Sequence, residues 1–204
     1  MSELHKNNID LWSSAGDMVQ RYWNHPEYIN RSKEFAQRLK KYQFSSVYEV
    51  GMCNGRNLKY ISDEFPEIKI GGCDVNKVAL EFAKNNIPNV LTDHADILNL
   101  ETSEKFDIVF THGVLMHTLP ESINAVIEKI IDKANKYIIH MEKPEKNGLI
   151  TRGPNSIGKK TSKRFVWQPN ISDIYVNKGF KILEKENCTM GMPKNPIFYL
   201  VIEK

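Results

Sequence analysis

A glycine-containing turn and the acidic residues around it carry the chemistry that this sequence displays most clearly. The turn Gly51-Met52-Cys53-Asn54-Gly55 directly follows a short apolar run. Glycine there lets the backbone turn tightly and approach a ligand, while the helix that follows presents unpaired N–H groups. Asp74 stands 19 residues after Gly55, close to the roughly 20-residue offset at which an acid meets a ribose hydroxyl in dinucleotide-binding folds. The spacing therefore predicts a nucleotide-type ligand at this turn.

Two further acids, Glu49 and Asp96, are placed to join Asp74. Glu49 lies at the end of the run before the turn, and Asp96 follows a later strand-like segment. Because successive parallel strands end at one edge of a sheet, all three are expected to line one crevice. Two interpretations of Glu49 stay open, since it could orient a ligand's ammonium group or accept hydrogen bonds from the turn itself.

The elements that must position these residues alternate along the chain. Short β-branched or aromatic runs predict strands, and apolar residues three and four apart predict helices, with Asn76 as a helix cap. Predicted strands are 47–50, 69–74, 89–92, 106–111, 136–140, 180–184 and 197–202, and predicted helices are 33–43, 56–65, 77–85, 121–133 and 171–178.

This alternation predicts an α/β fold, a Rossmann-like doubly wound, mostly parallel seven-stranded sheet. No helix separates the final two predicted strands, so they can pair antiparallel and leave the last strand antiparallel in the sheet. We expect a helical N-terminal piece over residues 1–44 and a core over 45–204. The core includes a loop excursion at 141–169.

Composition narrows the class of protein. The 204 residues carry a net charge of only +3, with 41% hydrophobic residues, which favours one ordinary globular domain and argues against a general nucleic-acid binder. No apolar stretch reaches membrane-spanning length and the start is polar, so we expect a cytoplasmic location without a membrane partner. Three cysteines without a Cys-x-x-Cys pair predict free thiols, neither a disulfide framework nor a structural zinc site, and no metal is expected.

Across residues 47–140 the sequence resembles the class I S-adenosylmethionine-dependent methyltransferases. The resemblance implies S-adenosyl-L-methionine as the cofactor, with Gly51 and Gly55 beside it, Asp74 on its ribose, and Asp96 with Ile97 at its adenine. Cys53 departs from the family pattern, which usually has a glycine there. The predicted cofactor-binding set is completed by Tyr28, Arg31, Glu49, Asn54, Val75, Thr111 and His112.

A nicotinamide dehydrogenase is the main competing interpretation, because it also binds its cofactor at a glycine-containing turn between a strand and a helix. The run Phe106 to Pro120 argues against it, since it resembles the methyltransferase strand that ends at the transfer site. Within the superfamily, the chain is most similar to methyltransferases associated with pseudaminic acid biosynthesis. The similarity rests on Trp12, on residues 27–32, on Thr111 to His117, and on Arg152-Gly153.

Methyl transfer requires alignment of the acceptor, exclusion of water and a base where the acceptor is a hydroxyl. His112 is the first candidate for that base, and His140 with Glu142 forms a second candidate group that could bind an acceptor amine or hydroxyl. His117 is expected to have a structural role. Each of these side chains could also be a satisfied polar group of the core.

The acceptor is expected to be a small metabolite, anionic or sugar-related, methylated on oxygen or nitrogen. Trp12 and Tyr22 belong to an aromatic-rich segment that could cover the site, and Arg152 and Arg164 bound a basic stretch that suits an anion. An RNA methyltransferase and a non-catalytic S-adenosylmethionine-binding protein remain alternatives. The sequence makes no prediction of oligomeric state.

Overall fold

The computed structural model describes residues 3–146, 150–151 and 166–204. Three helices come first, and strands follow with helices between some of them. The helices are α1 Glu3–Ser13, α2 Asp17–Asn24, α3 Pro26–Arg38, α4 Arg56–Glu64, α5 Lys77–Asn86, α6 Ile123–Lys133 and α7 Ile171–Asn177. The strands are β1 Ser46–Val50, β2 Lys69–Asp74, β3 Leu91–His94, β4 Phe106–His112, β5 Ala134–Glu142, β6 Ile150–Thr151, β7 Val166–Trp167, β8 Lys181–Cys188 and β9 Ile197–Glu203.

Seven of the strands form one sheet in the order β3-β2-β1-β4-β5-β9-β8. The first five are parallel to one another, whereas β9 runs antiparallel to both β5 and β8. The predicted fold class is therefore confirmed, including the antiparallel last strand. The strand order reverses between β1 and β4, and in open α/β sheets ligands bind in the crevice beside such a reversal.

Two apolar layers cover the two faces of the sheet, and β4 and β5 are therefore buried on both faces. One layer places Tyr175 of α7 and the apolar face of α6 against Val109 and Ile138. The other packs Phe35 of α3 and Leu58 of α4 against the opposite face. The ends of β1, β2, β4 and β5 are thus held rigidly at one edge.

The structure differs from the predicted elements mainly at their ends. Strand β3 covers residues 91–94, not 89–92, because Asn89 adopts a left-handed φ of 57° that an extended strand cannot contain. Strand β5 continues to Glu142, so residues 141 and 142 belong to the sheet and not to the loop excursion. The predicted helix 33–43 forms the second half of α3 and a short 3₁₀ turn at Leu39–Lys41.

Helix α3, with 13 residues, is the longest of the described helices. A bilayer-spanning helix needs about 20 residues. No helix in the described part of the chain is long and apolar enough to cross a membrane.

Candidate active site

A cavity of about 670 Å³ opens at the carboxyl edge of the parallel strands. Its size lies in the range of sites that enclose small molecules. The ends of β1, β2, β4 and β5 form its floor, helices α1 to α3 cover it, and the loop between β8 and β9 closes one side. The cavity therefore lies where the sheet topology predicts a ligand.

The turn after β1 uses left-handed backbone at three alternate residues, with φ of 74° at Gly51, 50° at Cys53 and 73° at Gly55. Cys53 thus takes the conformation that favours glycine, at a cost of about 1 kcal/mol. Gly51 and Asn54 line the cavity. Gly55 does not line it, and Ile87 and Met52 pack against it; its predicted place at the cofactor stays a prediction.

Asp74 ties the end of β2 to this turn. Its Oδ2 accepts a hydrogen bond from the backbone N–H of Cys53 at 2.7 Å, and its Oδ1 accepts one from that of Asn76 at 2.9 Å. Burial raises the pKa of the carboxyl group while the backbone N–H groups oppose that rise. Both Asp74 and Val75 line the cavity, so the carboxylate is fixed in place at the cavity wall.

Glu49 points from β1 into the cavity and is 2% exposed. Asn57 donates a hydrogen bond to its Oε1 at 2.6 Å, whereas its buried Oε2 has no partner in the described part of the chain. Burial raises the pKa of this carboxyl group to about 8. A buried carboxylate oxygen without a donor is costly, and a bound cation would remove that cost.

A hydrogen-bonded chain continues from this acid to His112. Arg56 Nε donates to Ser32 Oγ at 3.0 Å, Ser32 Oγ donates to Asn57 Oδ1 at 2.7 Å, and Asn57 Nδ2 lies 3.2 Å from His112 Nδ1. His112 lines the cavity at the end of β4. Desolvation, with the positive charges of Arg56 and Arg31, lowers the pKa of His112 to about 3. The imidazole is therefore neutral at physiological pH.

Glu142 ends a second chain of polar groups, at the tip of β5. Tyr175 OH lies 2.9 Å from His140 Nε2, His140 Nδ1 lies 2.8 Å from Thr111 Oγ1, and Thr111 Oγ1 donates to Glu142 Oε1 at 2.7 Å. Glu142 lines the cavity, and its Oε2 has no partner within the described residues. Burial raises the pKa of Glu142 to about 7, a value suited to proton transfer near neutrality.

Two predicted site residues lie behind this cavity. His140 was expected to meet an acceptor, but it is fully buried with both ring nitrogens in hydrogen bonds. Thr111 was expected to bind the cofactor, but it too is fully buried and its hydroxyl is used by His140 and Glu142. The structure places both side chains behind the cavity, where they support Glu142, and their predicted site roles stay predictions.

Helix α1 lies over the adenine side of the predicted cofactor position. His5 Nε2 lies 2.7 Å from Asp96 Oδ2, and Asn8 Nδ2 donates to the backbone oxygen of His117 at 3.0 Å. The ring of Trp12 packs against that of His117, with centroids 4.9 Å apart. Asp96, Ile97 and Trp12 all line the cavity. The structural role predicted for His117 stays a prediction, since its ring also faces the cavity.

The predicted residues of α2 and α3 also line the cavity. Arg31 is buried, and its Nη2 donates to the backbone oxygens of Thr189 and Asn195. Its buried Nε has no partner among the residues that the structure describes. Tyr22 and Tyr28 pack edge to face, with centroids 5.2 Å apart. An arginine N–H therefore remains for a ligand beside two aromatic rings.

Three lysines, Lys143, Lys146 and Lys194, stand at the exposed rim of the cavity. Within the described ranges, none of them forms an ion pair, and all the carboxylates that line the cavity lie deeper. Lys143 follows Glu142, which pairs with Phe198 of β9, so the loop before β9 brings Lys194 to the same side. Arg152 and Arg164, the basic residues that the sequence predicted here, lie outside the described residues.

Arg56, Asn57, His5 and Asn8 were not predicted from the sequence, although all four line the cavity. One signal could have indicated Asn57: helix α4 follows the glycine turn, so residues in its first turn must face the end of β1. Nothing comparable marks His5 or Asn8, because their partners are 91 and 109 residues away.

The buried titratable groups predict how the stability of the free protein depends on pH. The pKa values of Glu49 and Glu142 are raised from 4.5 to about 8 and 7, so their contribution to stability is lost as pH rises through those values. Those of His112 and His140 are lowered from 6.5 to about 3, so their contribution is lost as pH falls below 6.5. Thermal unfolding should therefore show the highest midpoint near about pH 5–6 and a fall of several degrees by about pH 8.

Glu49→Gln and Glu142→Gln should each flatten that fall, whereas Glu186→Gln, on an exposed side chain, should not. A midpoint that keeps rising to about pH 8 in the free wild-type protein would contradict the assignment.

Comparisons with known proteins agree with this geometry. A family model described as a methyltransferase domain matches residues 47–135. A protein of Invertebrate iridescent virus 6, named as a methyltransferase, is 32% identical over 78 residues, which cover 38% of this chain and 29% of that protein. The matched part thus spans less than a third of this relative.

Solved structures extend the likeness to the whole fold. A DhpI–SAM–HEP complex has a TM-score of 0.75 at 13% identity and covers 100% of this chain and 99% of that chain. The 1,6-didemethyltoxoflavin-N1-methyltransferase of Burkholderia thailandensis, with bound S-adenosylhomocysteine, has a TM-score of 0.73 at 13% identity over 100% and 91%. Magnesium protoporphyrin IX methyltransferase of Synechocystis PCC 6803, with bound SAM, has a TM-score of 0.73 at 15% identity over 100% and 98%.

Residues 47–135 therefore match a methyltransferase-domain model, and the chain shares the fold of these three solved structures. The predicted enzyme class and its cofactor, S-adenosylmethionine, agree with this match and with the ligands bound in those structures. The similarity to the pseudaminic acid-associated group stays a prediction.

Proposed function

We propose that this protein transfers a methyl group from S-adenosylmethionine to a small anionic or sugar-related metabolite. The observation that carries the proposal is the buried Oε2 of Glu49, which has no donor among the described residues and lies beside the glycine turn. The cofactor has an ammonium group that would supply this missing donor. Its sulfonium supplies an activated methyl group.

The predicted cofactor residues fit this group in one continuous arrangement. Glu49 would hold the ammonium, and Arg31 Nε, which has no partner in the described part of the chain, would take the carboxylate at the same end. Asp74 keeps lone pairs for ribose hydroxyls beside Val75, and Asp96 would take the adenine amino group beside Ile97. We further propose that residues 1–44 act as a cap, because helix α1 covers this end and excludes water.

Acceptor chemistry would take place between Glu142 and His112, at the ends of β5 and β4. Glu142 has a pKa of about 7 and an Oε2 without a partner among the described residues, so it can accept a proton from an acceptor hydroxyl or amine. This feature favours an enzyme over a non-catalytic binding protein. The aromatic rings of Trp12 and Tyr22 would contact the acceptor or its methyl donor.

The rim of the cavity favours an anion as the acceptor. Lys143, Lys146 and Lys194, which form no ion pair within the described ranges, would attract a carboxylate or phosphate of the acceptor, so that its reactive group can reach Glu142. Three lysines around an enclosed cavity suit a small molecule better than RNA, which needs a longer basic surface. Arg152 and Arg164, adjacent in sequence to this rim, remain proposed acceptor contacts.

Calorimetry tests the cofactor assignment directly. S-Adenosylhomocysteine should bind the protein with a dissociation constant in the micromolar range, whereas a nicotinamide dinucleotide should not bind. The opposite preference would overturn the proposal.

The acceptor class is tested with methyl-labelled S-adenosylmethionine and a metabolite extract that is fractionated by anion exchange. Label should appear in retained, anionic products, and the double variant Lys143→Gln/Lys194→Gln should lower that transfer at least tenfold. Lys40→Gln, at an exposed ion pair remote from the cavity, serves as the control. Label that appears in RNA, or only in unretained products, would contradict an anionic metabolite.

A further inference from the structure

The polar chain that joins Arg56, Ser32, Asn57 and Glu49 has a defined direction, because Arg56 can only donate and an ionised Glu49 can only accept. Arg56 has no acceptor atom, so it must donate to Ser32 Oγ, whose own hydrogen can go to Asn57 Oδ1 at 2.7 Å or to the backbone oxygen of Tyr28 at 3.0 Å. The contact with Ser32 alone therefore does not assign the Asn57 amide. An ionised Glu49 can only accept, so the group of Asn57 that lies 2.6 Å from its Oε1 is the NH₂ group, and the amide oxygen faces Ser32.

The same amide group fixes the protonation of His112. An NH₂ group has two hydrogens, and one of them is directed to Glu49 Oε1. The second is available to His112 Nδ1 at 3.2 Å, so that nitrogen must be the acceptor and carry no proton. In a neutral imidazole the proton then resides on Nε2.

We propose that Asn57 is a positioning residue that holds His112 as its Nε2–H tautomer. His112 then donates a hydrogen bond into the cavity and cannot take a proton from an acceptor at Nε2. The base must be another group, and Glu142 is the carboxylate at the facing strand end with a free oxygen. The catalytic role of the Nε2–H donor of His112 rests on the proposed function, whereas the assignment of the tautomer does not.

The surroundings of His112 keep it from becoming an imidazolium that would satisfy both nitrogens. Arg56 on α4 and Arg31 on α3 are the cations that face it, and Glu49 on β1 reaches it only through Asn57. Desolvation and these two arginines hold its pKa near 3. A neutral donor also avoids repulsion of a sulfonium in the same cavity.

NMR of ¹⁵N-histidine-labelled protein tests the tautomer without any turnover. Spectra are recorded on the free protein at about pH 9, where Glu49 is ionised given its pKa of about 8, and at neutral pH with S-adenosylhomocysteine. His112→Gln assigns the signals of His112 among the six histidines. We expect Nδ1 to resonate as an unprotonated nitrogen and Nε2 as a protonated one. Failure of S-adenosylhomocysteine to bind would overturn the proposed function and leave the measurement at about pH 9 intact.

Asn57→Asp replaces the amide donor with an acceptor and should reverse the two nitrogens. Asn85→Asp, at an exposed position of α5, should leave them unchanged. If Asn57→Asp does not fold, Asn57→Leu removes both polar groups and should give averaged signals from two tautomers. The inference is overturned if wild-type His112 is protonated on Nδ1, or if the folded Asn57 variant retains the wild-type pattern.

Discussion

Replacing Glu49 by Gln is expected to weaken binding of S-adenosylhomocysteine about tenfold to hundredfold. The carboxylate provides the only buried acceptor in the described site with a free oxygen next to the turn, and hydrogen bonds to charged groups contribute about 1.5–3 kcal/mol. The same change should raise the unfolding midpoint of the free protein at about pH 8, because Gln removes a charge that is costly to bury. Calorimetry and thermal unfolding measure the two effects.

Weaker ligand binding together with a higher unfolding midpoint would show that Glu49 serves binding and does not stabilise the fold. Glu186→Gln, an exposed glutamate in an ion pair with Arg38, should leave the affinity unchanged. A Glu49→Gln protein that binds the ligand as tightly as the wild type would remove the ammonium contact from the proposal. A loss of affinity together with a loss of stability would assign Glu49 to the fold.

The second large effect is expected from Glu142→Gln, which should lower the rate of methyl transfer about 10²- to 10⁴-fold. Gln keeps the hydrogen bonds from Thr111 and from the backbone of Val114 as an acceptor, but it cannot take a proton. In the wild type the rate should rise with pH through about 7, since the base must be deprotonated. Transfer of label to the metabolite extract at a series of pH values measures both features.

Affinity for S-adenosylhomocysteine should change less than about threefold in the same variant, because Glu142 is assigned to the acceptor and not to the cofactor. Glu128→Gln, on the exposed face of α6, is the matched control. If Glu142→Gln loses no more activity than this control, or keeps the rise in rate through about pH 7, Glu142 is not the base.

Most of the fold could be predicted because its signals are local. The runs that form β1, β2 and β4 are short, apolar and bounded by turn residues, and Asn76 caps α5 by accepting a hydrogen bond from the N–H of Ala79. Such signals depend on neighbours in sequence. The exact limits of β3 and β5 were missed, because that of β3 depends on the left-handed backbone of Asn89 and that of β5 on pairing with β9, as in the contact of Glu142 with Phe198.

Site residues could be predicted from the sequence only where their place after a strand is enough to bring them to the cavity. Asp74 and Asp96 follow strands, so topology alone brings them to the cavity. His140 also lies near a strand end, but it is two residues before Glu142 on the same face and is therefore about 7 Å deeper in the sheet. There Tyr175 of α7 covers it, a contact across 35 residues that the sequence does not indicate. Asn57 depends in the same way on partners from three other elements.

The contacts of helix α1 also determine when it can fold. Its partners Asp96 and His117 lie 91 and 109 residues farther along the chain, and Asn76 binds the backbone oxygen of Trp12 from 64 residues away. An isolated helix of 11 residues is only marginally stable in water. Although α1 is synthesised before the sheet, it has to wait for strands β2 to β4 before it can dock. We infer that it is among the last elements to settle during folding and among the first to detach.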